Sequence, residues 1–277
     1  MINIQMNAGK CTECGLCEKI CVRKAINVKT HFIDTEKCFG CSQCVSVCPC
    51  SAISIDNTVG VKLAFKGVPS DELKKMFMLK RSVRFFKEKD IDERILRDIA
   101  DIIKFAPTAK NQQEVYVTVV RDKEVLKKTS DLAIAYCKKV SSKANGITVP
   151  FLTLLLGKKI VKNLLGLKKM VSNYEAGKNG LTYNAKAIFI FHADQKAIMV
   201  NADCNIAATY ASLYAESLGI SSCINGYLVR AINGSKKLQK HLNIPAGHKV
   251  YETFIAGYPL YTYPNSPVRE SKNITIL

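Results

Sequence analysis

No stretch of this 277-residue chain is both long and apolar enough to cross a membrane. The most apolar run, 147–156, falls far short of the ~20 residues that a spanning helix needs. The N-terminus, Met-Ile-Asn-Ile-Gln-Met-Asn-Ala-Gly-Lys, has no basic start followed by an apolar run, so it predicts no export signal. A soluble, cytoplasmic protein in reducing surroundings is expected, which argues against a disulfide framework. Histidine is scarce, and His31, His192, His241 and His248 show no ligand spacing. Helix-turn-helix, RNP-type aromatic and long Lys/Arg signatures are all missing. Nucleic acid is therefore not the expected partner, despite a net charge of +18. Residues 1–60 carry six basic and five acidic residues, leaving 35 and 18 in residues 61–277. The basic surface suits anionic cofactors or an acidic electron donor.

What the chain has is cysteine, twelve in all. Cys11, Cys14, Cys17 and Cys21 form C-x2-C-x2-C-x3-C, and Cys38, Cys41, Cys44 and Cys48 repeat the spacing 27 positions later. Lys10 matches Lys37, Ala25 matches Ala52, and Ile26 matches Ile53. Zinc sites pair cysteines across a longer gap, whereas here two runs of four are closely spaced. The pattern resembles that of bacterial ferredoxins and implies two [4Fe–4S] clusters. In such proteins the last cysteine of each run crosses over. By resemblance, one cluster takes Cys11, Cys14, Cys17 and Cys48, and the other Cys38, Cys41, Cys44 and Cys21. Val22 departs from the proline that usually follows the fourth cysteine, whereas Pro49 keeps it. Cys50, Cys137, Cys204 and Cys223 read as small buried hydrophobes.

The first 60 residues could bury little core on their own, so clusters would staple them. Residues 54–70 mix turn formers with a short apolar run and read as linker. A helix is expected from Ser70 or Asp71, with acids in its first turn. Another is expected from Asp92 to Phe105, before Pro107. Residues 115–120, 187–191 and 251–255 are rich in β-branched and aromatic residues and predict strands. Asp203–Leu218 reads as a central, buried helix of small residues, closed by Gly219. Residues 158–171 place apolar residues on one face and lysines on the other, which predicts a helix packed on the protein rather than on a membrane. Residues 138–183 suit a lid.

A second set of motifs follows in order: Lys80-Arg81-Ser82-Val83-Arg84-Phe85-Phe86, Ala106-Pro107-Thr108-Ala109-Lys110-Asn111-Gln112-Gln113, Ile224-Asn225-Gly226-Tyr227, Gly257-Tyr258-Pro259 and Arg269 near the end. Together these resemble the nitroreductase family of FMN-binding oxidoreductases over about residues 74–277. The first motif looks most like its deiodinase-type branch. The resemblance implies an α+β fold: a small pseudo-symmetric ferredoxin domain (1–60), a linker (61–73) and a dimeric domain (74–277) with a mixed central sheet flanked by helices. It places Lys80, Arg81 and Ser82 at the FMN phosphate and ribityl end, and Arg84 beside flavin N1/O2. Asn111 would bind the pyrimidine edge, and Pro107 and Thr108 would line the site from the partner subunit. The backbone at Asn225-Gly226 would face N5, and Arg269 would close on the phosphate. Guanidinium groups and hydroxyls are what a phosphate dianion needs. Lys80 replaces the usual arginine, Pro267 stands where a basic residue is common, and Glu114-Val115 replaces Pro-Trp.

The expected activity is an oxidoreductase passing electrons between two [4Fe–4S] clusters and FMN to a small organic acceptor: a nitroaromatic, quinone, activated alkene or halogenated aromatic. The electrons would come from an external low-potential donor or NAD(P)H. The alternative is an electron-transfer or redox-sensing partner that stores electrons in FMN for another protein. Tyr174, Glu175 and Tyr183 are candidate substrate contacts in the insertion.

Overall fold

A computed structural model describes residues 3–142, 148–270, 272 and 274–277, with Leu152 and Leu156 described by backbone alone. The expected lid thus has its 143–147 segment outside the described residues. The chain divides into two compact units, Met1–Val68 with Thr108–Gln113, and Pro69–Pro107 with Glu114–Leu277.

The first unit is built twice over. Strand β1 (Ile4–Met6) precedes helix α1 (Leu16–Ile20) and the short strands β2 (Ile26–Asn27) and β3 (Phe32–Ile33), which pair with each other. Helix α2 (Gln43–Val47) and strand β4 (Ile53–Ile55) then restate α1 and β2 27 residues on, and β5 (Thr58–Val59) follows. β4 sits between β1 and β5, antiparallel to both. The repeat extends to backbone conformation: Glu13, Gly15 and Lys24 have positive φ, as do Gly40, Ser42 and Ser51. Each short helix is entered through a left-handed residue, Gly15 at φ 73° or Ser42 at φ 62°. Residues 54–70, expected as linker, thus begin inside this unit, because β4 and β5 complete its small sheet.

The second unit opens with α3 (Ser70–Leu79), followed by α4 (Glu93–Asp101), which Asp92 caps by accepting from Arg94 N–H at 2.7 Å. The expected helix to Phe105 tightens into a 3-10 turn over Ile102–Phe105. Strand β6 (Tyr116–Val120) leads into α5 (Lys123–Ser141), whose cap Asp122 accepts from two backbone N–H groups. Helices α6 (Thr148–Leu156) and α7 (Lys158–Glu175) form the insertion. Strand β7 (Ala187–Asp194), α8 (Val200–Ser217), β8 (Ser221–Ile224), α9 (Gly226–Gly234), α10 (Lys236–His241) and β9 (His248–Gly257) complete the unit.

The sheet order is β6-β7-β9-β8. Among the described residues its three pairings are all antiparallel, where a mixed sheet was expected; no βα crossover returns a strand parallel to its neighbour. β7 is buried on both faces from Ala187 to Ala193, so it reads as an apolar run rather than an alternation. Its alternate side chains serve two cores. Ile188 and Ile190 join Val120, Ile134, Leu228, Ile232 and Ile255 under α5, α9 and α10. Phe189 and Phe191 join Phe254, Ile99 and the alanines of α8 on the other face. Ala207, Ala211 and Ala215 are wholly buried, which lets α8 lie close against β7 and β9, as its small-residue composition predicts. α7 buries Val161 and Val171 and packs against α5, so its apolar stripe faces the protein.

Candidate functional site

The eight repeat cysteines gather into two cages. Cys11, Cys14, Cys17 and Cys48 line one cavity; Cys21, Cys38, Cys41 and Cys44 line the other. This is the crossed grouping that the ferredoxin resemblance implies. Local backbone geometry turns N–H groups onto the sulfurs in matched pairs. Glu13 N–H donates to Cys11 Sγ at 3.4 Å and Gly40 N–H to Cys38 Sγ at 3.4 Å. Ala25 N–H donates to Cys21 Sγ at 3.3 Å and Ala52 N–H to Cys48 Sγ at 3.2 Å. Such bonds stabilise thiolate, the form that binds iron. Burial acts oppositely, raising the Cys17 thiol and pushing Cys44 up to about 11. Cationic iron would offset that cost, so the donor set fits a cluster in each cage. A fifth thiol, Cys50, lines the first cage with its sulfur 3.7 Å from Cys48 Sγ. Its counterpart in the other half is Arg23.

In the second unit, the first motif runs beside the edge strand β8. Val83 N–H donates to Ser222 O at 3.2 Å, and Phe86 bridges to Pro259. Val83 and Phe86 are buried while Ser82 and Arg84 face outward. Gly257 is needed here, because a Cβ would sit 2.7 Å from the Phe86 ring. Arg84 Nη1 donates to Ser82 O at 3.2 Å, and its guanidinium stands 5.9 Å from the Tyr183 ring centroid.

Arg84 opens onto a cleft that it shares with Asn225, Gly226, Tyr183, Cys223 and Arg230. Thus Arg84 and the adjacent pair Asn225-Gly226, far apart in sequence, are brought together. Asn225 is buried and its hydrogen bonds are all structural. Its amide donates to Leu181 O at 2.7 Å and accepts from Leu228 N–H at 3.2 Å, capping α9. Its own N–H donates to Thr253 O, and its carbonyl accepts from Thr253 Oγ1, both at 2.8 Å. Gly226 is the first residue of α9, and a Cβ there would meet nothing within 4 Å, so the helix start is open to a ligand. Among the described residues the cleft is lined by two guanidiniums and no carboxylate.

Other expected residues fall elsewhere. Lys80 does not reach free into solvent: its ammonium donates to Glu216 Oε1 at 2.7 Å and Ser222 Oγ at 2.9 Å, with both ionic side chains only 20% exposed. The lysine that replaces the expected arginine is therefore committed to an internal ion pair. Arg81 donates to Met78 O, while Ser82 and Arg269 are exposed. Thr108 and Asn111 belong to the first unit, where Asn111 Nδ2 donates to Gly40 O at 2.6 Å; Pro107 ends the preceding segment of the second. Tyr183 lies in the cleft, but Tyr174 bonds Asp131 at 2.7 Å in a different, charged cavity, and Glu175 pairs with Lys138. Reading the sequence missed Arg230, although it stands one helical turn after Gly226.

The nitroreductase family profile matches residues 78–258, well over half of the chain, and a 4Fe-4S binding domain profile matches residues 31–54. The chain belongs to the nitroreductase family and is an oxidoreductase. A protein of Archaeoglobus fulgidus named as an NADH dehydrogenase/NAD(P)H nitroreductase is 27% identical over 194 residues, covering 68% of this chain and 86% of that protein. Among solved structures, a nitroreductase with bound FMN from Bacteroides fragilis superposes with a TM-score of 0.60 at 21% identity, covering 74% of this chain and 98% of the other. One from Desulfitobacterium hafniense, also with bound FMN, gives 0.57 at 22%, with the same coverage. These two share the fold.

Proposed function

We propose that the chain is an FMN-dependent oxidoreductase that receives single electrons through two [4Fe–4S] clusters and delivers pairs to a small organic acceptor. The observation that carries this reading is the coexistence, on one chain of the nitroreductase family, of two four-cysteine cages and a cleft that joins Arg84, Asn225 and Gly226. FMN, when bound, would supply hydride-type chemistry at N5 and accept electrons one or two at a time.

The residues supply binding and charge. Arg84, directed into the cleft, would neutralise the negative charge that gathers at N1/O2 on reduction. The open start of α9 at Gly226 would admit the flavin edge close to backbone, with Asn225 holding that backbone rigid from both sides. Arg81, Ser82 and Arg269 would hold the phosphate and Asn111 the pyrimidine edge, with Pro107 and Thr108 lining the site from the partner in a homodimer. Lys80 would instead fix the motif to α8 through Glu216. Val268, Ile276 and Leu277 are almost fully exposed in the C-terminal arm, as expected of a segment that packs on a second copy.

Anaerobic photoreduction tests the proposal. Cluster absorbance should bleach first and the flavin band follow; a flavin that stays oxidised beside bleached clusters would exclude internal transfer. Arg84→Ala should lower the flavin midpoint potential, and an unchanged potential removes Arg84 from the N1 position.

A further inference from the structure

The cleft of Arg84 and Gly226 does not end at α9. A second cavity continues from it between α5, α7 and α9, and the two share Asn163, Leu167, Tyr227 and Arg230. The character changes along this path. Beyond the shared residues the walls are mostly apolar: Val140 of α5, Ile160 and Leu164 of α7, and Val229 of α9, with Tyr136 beside them. Gly234 sets the width at the far end, because a Cβ there would come within 2.3 Å of the Tyr136 ring.

At the junction stands Arg230, exposed and in no ion pair among the described residues. Among the described residues no carboxylate lines either cavity. A cation at the mouth of an apolar groove matches a ligand with an anionic head and a greasy body. Neutral acceptors would gain from the groove but nothing from Arg230. A dinucleotide would meet apolar walls where its ribose and phosphates need polar ones.

We infer that this continuous site takes an organic carboxylate, with the carboxylate on Arg230 and the apolar body along the α5–α7 groove. This deepens the proposed oxidoreductase reading and rests on it for the claim that the ligand is the electron acceptor. The binding claim itself stands on the groove and the arginine. Charge-assisted, potentially bidentate bonding to a guanidinium would supply the head-group contact, and burial of the body would supply the rest. Arg84 would remain for the cofactor.

Calorimetric titration of the holoprotein with 4-butylbenzoate, 4-butylbenzyl alcohol and benzoate separates these contributions. The butylbenzoate should bind at least tenfold tighter than either of the others. Arg230→Ala should remove about tenfold from butylbenzoate and leave the alcohol unchanged, with Arg230→Lys between. Ile160→Glu, at an exposed groove position, should weaken butylbenzoate and spare benzoate. Equal affinities for the acid and the alcohol, or an Arg230→Ala Kd equal to that of the parent, overturn the inference. NADPH that competes with butylbenzoate and depends equally on Arg230 also overturns it, in favour of a nucleotide site. Anaerobic reduction of nitrobenzene is measured in parallel. Failure there with Arg230-dependent acid binding intact counts against the proposed electron delivery to a small acceptor alone, whereas turnover without acid binding sinks this inference alone.

Discussion

The two units solve the problem of staying folded in different ways. In the first, the buried apolar cluster consists of Ile4, Ile26, Val28, Ile33 and Ile53 with Cys17 and Cys44, and two of its members are therefore candidate ligands. Its helices are five residues long, far too short to persist alone. In the second unit, a ten-residue and an eight-residue strand pair down the middle, with a separate apolar core on each face. One unit needs something to coordinate; the other carries its own interior. The first unit thus has part of its interior made of candidate ligands, whereas the second has two apolar cores without any.

The sharpest way to break this comparison is to strip the iron. Chelation under anaerobic conditions should abolish amide-exchange protection at Ile4–Met6 and Ile53–Ile55, because ligand binding and folding are one equilibrium in so small a unit. Protection along Ala187–Asp194 should be unchanged. Retained protection in β1 and β4 without metal would show that the first unit folds on its own core.

The converse test strikes the second unit. Phe189 is fully buried and its ring stacks on Phe254 with centroids 4.6 Å apart. Phe189→Ala should cost about 3–5 kcal/mol, as large-to-small changes do where neighbours cannot collapse. Denaturant melts followed at the sheet should shift accordingly, while the iron content stays constant. A loss below 1 kcal/mol would mean that the α8 face is more loosely packed than its alanines suggest.

These differences explain what could be read in advance. Cysteine spacing is local, so the two four-cysteine runs and their pseudo-symmetry were visible from Cys11 to Cys50, while the crossed grouping came only with the resemblance to ferredoxins. The strands at 116–120, 187–194 and 248–257 were visible because β-branched and aromatic residues cluster there, though the last two ran further than composition showed. The all-antiparallel pairing was not visible, since strand direction depends on connections rather than residues. Lys80 and Glu216 lie 136 positions apart, so nothing near Lys80 announces that its charge is already matched. The cleft is similar: Arg84, Tyr183 and Gly226 come from three segments that only the folded sheet brings together. Arg230 was hidden because a surface arginine on a helix looks ordinary until an acid-free cavity is found beneath it.

A smaller effect appears as a pH dependence. His192 is buried, with Nδ1 2.9 Å from His248 Nδ1 and Nε2 3.1 Å from Thr118 Oγ1, and Tyr116 stacks over it. Burial, with the neighbouring His248 adding to it, lowers its pKa to about 4. The unfolded chain, with an ordinary histidine near 6.5, binds the proton more readily. Stability from this group is therefore complete above pH 6.5 and declines as pH falls toward 4, by at most about 3 kcal/mol. Melting temperatures across that range should fall for the parent and fall less for His192→Gln. Parallel curves would place the acid sensitivity elsewhere.

The smallest expected effect bears on whether Lys80 belongs to the scaffold or to the site. Its pairing with Glu216 is mostly shielded from solvent, so breaking it leaves a carboxylate that still accepts from Ser221 Oγ at 3.1 Å. Lys80→Met should then cost about 1–2 kcal/mol, less than a fully buried pair because solvent still reaches both ends. It should weaken FMN binding less than Arg81→Ala does, since among the described residues Arg81 bonds only to the Met78 carbonyl and can turn to a phosphate. Fluorescence titration of FMN into the two variants orders them. Should Lys80→Met prove the weaker binder, its ammonium must leave Glu216 when the cofactor arrives, and the ion pair would be the resting state of a phosphate ligand rather than a fixed strut.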